Sequence, residues 1–146
     1  MSVRFLKLNA TTVEDLKVVS AHLQDAITQP GNIVHLKKNR IFLIQLNRFM
    51  WEDVEKGVFR QNKRIRCALK FEEVLKVKSQ NINQKRKDKP LEYLAIKCGP
   101  NLDKTFEIKI FFAGGSIITI IVEFIEVFLN DLGLPWDVKH IPKHKI

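Results

Sequence analysis

KIFFAGGSIITIIVEFIEVF, Lys109 to Phe128, is the most apolar stretch of the chain, and its reading decides the fold. Its uncharged part, Ile110 to Val122, would make a helix about 20 Å long. A bilayer core is about 30 Å thick, so a membrane span is not expected. Gly114 and Gly115 argue the same way, since each costs a helix interior about 1 kcal/mol relative to alanine. A period of two fits better. Phe106, Ile108, Ile110 and Phe112 alternate with Glu107, Lys109 and Phe111, the pattern of a strand with one buried face. Ala113-Gly114-Gly115-Ser116 then reads as a turn, because glycine accepts positive φ. SIITIIV, from Ser116 to Val122, is apolar on both faces. That predicts a central strand covered on both sides.

Beyond Val122 the spacing turns helical. Ile121, Ile125, Phe128, Leu129 and Leu132 form one stripe, and Glu123, Glu126, Asn130 and Asp131 take the other side. Gly133 and Pro135 read as the helix stop. The expectation is therefore a hairpin running straight into a C-terminal helix.

Working outward, VRFLKL reads as a first strand and TTVEDLKVVSAHLQD as a helix. Thr11-x-x-Glu14 has the spacing of a capping box. Pro30-Gly31 marks a turn. Val34 and Leu36 lead to KKNR, a hairpin tip, from which Phe42, Ile44 and Leu46 return in alternation. Ile65, Cys67, Leu69 and Phe71 alternate with Arg64, Arg66, Ala68 and Lys70. Val74 to Val77 and LEYLAIKC give further strands, separated by the basic loop NINQKRKDKP. The order predicts an α+β fold: a curved antiparallel sheet of about six to seven strands with an N-terminal and a C-terminal helix. A last strand entering a helix directly is similar to pleckstrin-homology-like barrels, in which that helix closes one open end. The early helix does not belong to that pattern.

A length of 146 residues suits a single domain over 1–146, with 140–146 a frayed tail. Cys67 and Cys98 form no CxxC motif and read as small apolar residues in a reducing compartment. The N-terminus lacks the apolar core of a secretory signal, so the expected location is the cytoplasm. The net charge of +9 suits an acidic partner. The excess is spread along the chain, however, and lysine outnumbers arginine, as on a solvated surface.

Four phrases together carry a family likeness: SAHLQDA (Ser20–Ala26), LNRFMWE (Leu46–Glu52), FAGG (Phe112–Gly115) and DLGLPW (Asp131–Trp136). The chain resembles a family of small bacterial proteins of unknown function over nearly its whole length. The likeness implies no particular activity. It does imply that Met50 and the NQKRKDKP loop vary between members.

Three groups of residues could carry chemistry. On a helix His22 and Asp25 share a face, as an imidazole–carboxylate pair or as groups that satisfy the helix end. Asn47, Arg48, Trp51 and Glu52 could bind a partner or small ligand through an Arg–Trp surface, or cap a strand end with their own ion pair. Lys85, Arg86, Lys87 and Lys89, with Lys37, Lys38 and Arg40 and with Arg60 to Arg66, could bind nucleic-acid phosphates if they fell on one side. The turn at Gly114 has neither GxGxxG nor a P-loop lysine. His140 and His144 have i, i+4 spacing, but Pro142 lies between them and Asp137 is the only acid nearby. No cofactor and no metal are expected. The leading expectation is a non-catalytic interaction or ligand-binding module of unknown partner. Nucleic-acid binding through the basic loops and an enzyme using His22 and Asp25 are the alternatives.

Overall fold

The computed structural model describes residues 5–50 and 63–137, with side chains through residue 133. Ten antiparallel strands and one helix follow in the order β1 (Lys7–Ala10), α1 (Val13–His22), β2 (Ile27–Thr28), β3 (Ile33–Leu36), β4 (Ile41–Phe49), β5 (Lys63–Phe71), β6 (Val74–Gln80), β7 (Leu91–Pro100), β8 (Phe106–Phe112), β9 (Ser116–Val122) and β10 (Val127–Asp137). They form one sheet in the order β1-β10-β5-β4-β2-β7-β8-β9-β6, and β3 shares an edge of β4 with β2. One half is built on β4, β5 and β10, the other on β7, β8 and β9. The two-residue β2 joins them, pairing Ile27 with Asn47 on one side and Glu92 on the other.

The alternation read from the sequence sets which face is buried. Ile65, Cys67, Leu69 and Phe71 of β5 are all buried, as are Ile108, Ile110 and Phe112 of β8. Both halves contribute to one apolar cluster. Each fully buried aliphatic or aromatic side chain contributes about 1.5–3 kcal/mol, so this shared core is what bends the sheet over itself. The β8–β9 hairpin forms as expected, with Phe112 opposite Ser116 and positive φ at Gly114 and Gly115. The β3–β4 hairpin likewise turns through Lys37–Asn39.

The expected helix through Ile121 to Leu132 does not form, and the α+β reading of six to seven strands is corrected to a mostly-β fold with a single α-helix among the described residues. Residues 127–137 are strand β10, paired with both β1 and β5. Val127, Leu129 and Asp131 point inward and are buried; Phe128, Asn130 and Leu132 alternate with them and are half-buried. The inward aspartate masked the period of two. Gly133, at φ 67, and Pro135 lie where the β10–β5 register shifts between Leu132 and Trp136. They mark a bulge and not a helix stop. The pleckstrin-homology likeness falls with that helix.

Three smaller expectations shift. The cap of α1 is Thr12, whose hydroxyl accepts from the Asp15 N–H at 3.1 Å, while the Asp15 carboxylate accepts from the Thr11 N–H at 3.0 Å. The box therefore lies one residue later than Thr11 and Glu14, with aspartate in the reciprocal role. The first strand begins at Lys7, with Phe5 and Leu6 outside it, and Val3 lies outside the described residues. Strand β9 is flanked by β8 and β6, and its outward residues Ile117 and Ile121 are only half-buried. No helix among the described residues is long and apolar enough to cross a membrane.

Candidate functional site

The β2–β4–β5 end of the sheet gathers several of the residues singled out in the sequence. The Arg64 guanidinium donates to the carbonyls of Asn47 at 3.1 Å and Asp25 at 3.3 Å. The turn after α1 and the end of β4 thus share one cation. Burial draws Arg64 below its ordinary pKa, and the Asp25 carboxylate counters this. Asp25 takes a left-handed conformation at φ 62, and His22 is half-buried in the last turn of α1. Trp51, Glu52 and Arg60 lie outside the described residues.

Arg48 is held inside the protein. It follows Phe42, Ile44 and Leu46 on the inward face of β4 and is wholly buried. Its Nε donates to Asp131 Oδ1 and its Nη2 to Asp131 Oδ2, both at 2.8 Å. Asp131 Oδ2 also accepts from the Leu6 N–H at 2.7 Å. The two-pronged geometry is the strong form of a guanidinium–carboxylate contact. A charge in the apolar phase of β4 was the sequence signal for a buried counter-charge, and the aspartate in β10 supplies it.

The basic segments are spread along the protein. Lys37 and Lys38 precede the start of β4, whereas Arg64 pairs opposite Phe49 at its far end. Nine residues of strand separate them, about 26 Å at the usual rise. Lys85, Arg86, Lys87 and Lys89 are exposed on the β6–β7 loop. Arg40 is engaged with Glu123 and Glu73. Among the described residues no cluster of three or more histidine, cysteine or acidic side chains could hold a metal ion. His140 and His144 lie outside them.

Sequence reasoning missed the cavity altogether. Among the described residues, strands β3 and β6 each pair on one side only, β3 with β4 and β6 with β9. Their open edges face each other across a slot of about 420 Å³. Its apolar walls are Ile33, Phe42, Val77, Ile82 and Ile118, and His35, Ser79, Gln84 and Lys87 give it polar groups. Among the described residues no carboxylate lines it. Backbone hydrogen bonds close both ends: Val74 N–H to the Arg40 carbonyl and Gly31 N–H to the Lys87 carbonyl, each 2.9 Å. Glycine at position 31 allows a close approach, since a Cβ there would meet the Lys87 carbonyl oxygen at 3.1 Å. A second groove of about 560 Å³ crosses the outer face of β6, β8 and β9, where Lys76 and Lys78 are balanced by Asp103 and Glu107.

The spacing of these groups does not by itself say what the chain is related to. A family model matches residues 6–144. The chain belongs to DUF2948, a family of proteins of unknown function. The match spans both halves of the sheet, the slot and the Arg48–Asp131 pair. No curated protein and no solved structure matches the chain.

Proposed function

We propose that this chain is a non-catalytic module that binds a small, largely apolar molecule in the slot between β3 and β6. The observation that carries the reading is the slot itself: a cavity of about 420 Å³ in which apolar and polar side chains share the lining, with a backbone hydrogen bond across each end. Small-molecule sites take this form, in the range of about 300–1,000 Å³. The pinned ends favour a compact ligand over a peptide strand added to the sheet edge, because an extended peptide needs an exit at both ends. A binding role has more support than catalysis here. His35 and Ser79 both line the slot, but among the described residues no carboxylate lines it to orient the imidazole as a general base.

We assign Asp25, Asn47 and Arg48 an architectural part in this module. Arg64 ties Asp25 to Asn47, and Arg48 ties β4 to β10. Nucleic-acid binding draws less support, because a phosphate-tracking surface needs its cations together.

Titration with the neutral fluorophore N-phenylnaphthylamine tests the reading. One saturable site per chain is expected. Ile82→Trp, at a half-buried slot residue outside the strands, should weaken it at least tenfold by filling the space. Binding without saturation, or unchanged by Ile82→Trp in a protein that still folds, would refute the slot as the site.

A further inference from the structure

We infer that the ligand of the slot is an amphiphilic anion, with its charged head at the Lys87 end and its apolar tail running toward Phe42. This rests on the slot reading and adds the chemistry of what fills it.

Charge distribution supplies the first argument. Among the described residues the ionisable side chains lining the slot are Lys87 and His35. The loop that forms one lip carries Lys85, Arg86, Lys87 and Lys89 against the single carboxylate of Asp88. All of these are exposed, so none of the cations is buried in an ion pair of its own. A negative group entering there gains attraction and meets little repulsion. Gln84 adds an amide donor on the same loop.

The two ends differ, which gives the ligand a direction. At the Val74 end Arg40 is engaged by two acids: its Nη2 donates to Glu123 at 2.5 Å and lies 3.5 Å from Glu73. Two carboxylates lie close by, and the exposed Lys37 and Lys38 of the turn before Arg40 are not among the residues that line the slot. It also leads to the deeply buried wall residue Phe42, which is 3% exposed and packs against Phe71. An anion is disfavoured there and an alkyl or aryl tail is favoured. The alternation of β6 keeps the two environments apart. Val77 and Ser79 line the slot, while Lys76 and Lys78 line the outer groove.

Length limits the ligand. Strand β3 has four residues, about 13 Å at the usual rise. A medium-chain carboxylate matches that span.

The test displaces N-phenylnaphthylamine with hexanoate, octanoate, decanoate, decanol and decylamine, each below its micelle concentration. Affinity should rise about fourfold per added methylene along the carboxylates, following the free energy of burying a CH₂. Decanoate should bind about tenfold more tightly than decylamine. Lys87→Glu, a change at an exposed position, should erase or invert that preference while leaving decanol unchanged. Decanol and decylamine binding as tightly as decanoate would overturn the anionic head and leave the slot reading standing. A preference for decanoate that survives Lys87→Glu would overturn the assigned direction. Failure of the neutral fluorophore to bind at one saturable site would remove both readings together.

Discussion

Asp131→Asn is the sharpest perturbation of the architecture, because it removes a charge and keeps the shape. Asp131 accepts three hydrogen bonds, one on Oδ1 from Arg48 and two on Oδ2 from Arg48 and Leu6. The asparagine carbonyl fits the Oδ2 position, where two donors converge. Its NH₂ group then faces Arg48 Nε, donor against donor, and the buried guanidinium has lost the countercharge of Asp131. Removing one partner of a buried ion pair costs about 3–5 kcal/mol. In a domain of this size that is a fall in Tm of about 6–20 °C. Urea unfolding of a double-mutant cycle measures it, with Arg48→Met, Asp131→Leu and the two combined. Apolar replacement of both partners is often neutral or stabilising. The combined variant should therefore lose only the acceptor of the Leu6 N–H, about 1–2 kcal/mol. The reasoning fails if Asp131→Asn costs under about 1 kcal/mol, or if the combined variant costs the sum of its parts.

Two further outcomes are expected. Burial pushes the Cys67 thiol up to about 12 and raises the Tyr93 hydroxyl as well. Above about pH 9 the unfolded chain gives up protons that the folded chain keeps, so unfolding free energy should fall as pH rises. Cys67→Val should flatten the first part of that decline, and a level profile from about pH 8 to 10 would contradict the burial argument. Gly31→Ala brings a Cβ to 3.1 Å from the Lys87 carbonyl oxygen. It should speed amide hydrogen exchange at position 31 several-fold and weaken fluorophore binding in the slot; unchanged exchange would mean that the loop yields without cost.

Strands with a uniform inward phase were legible in the sequence. Ile65 to Phe71 and Phe106 to Phe112 announced themselves because each inward residue is apolar or small, and the glycine pair fixed the turn between β8 and β9. Strand β10 was illegible for the opposite reason. Its inward phase carries Asp131, whose partner Arg48 lies 83 residues away, and no local pattern reports such a distant neutralisation. A helical stripe through Ile125, Phe128, Leu129 and Leu132 was then the better local fit. The slot was hidden at a higher level. Ile33, Val77 and Ile82 look like ordinary strand and loop residues, and only the closure of the sheet brings the edges of β3 and β6 together. Lys87 was visible as part of a basic run, but its place at the rim of a cavity was not.

The two ends of the slot are fastened unequally. Around Arg40 three backbone hydrogen bonds cross between neighbouring segments, Val74 to Arg40, Glu72 to Glu126 and Glu123 to Glu73, reinforced by the Arg40 ion pairs. At the other end, among the described residues, the closing backbone bond is the single one from Gly31 to Lys87. Strain applied across the seam is therefore released first at the glycine, and the pair of strands behaves as a jaw hinged at Arg40, with its mouth beside the lysines.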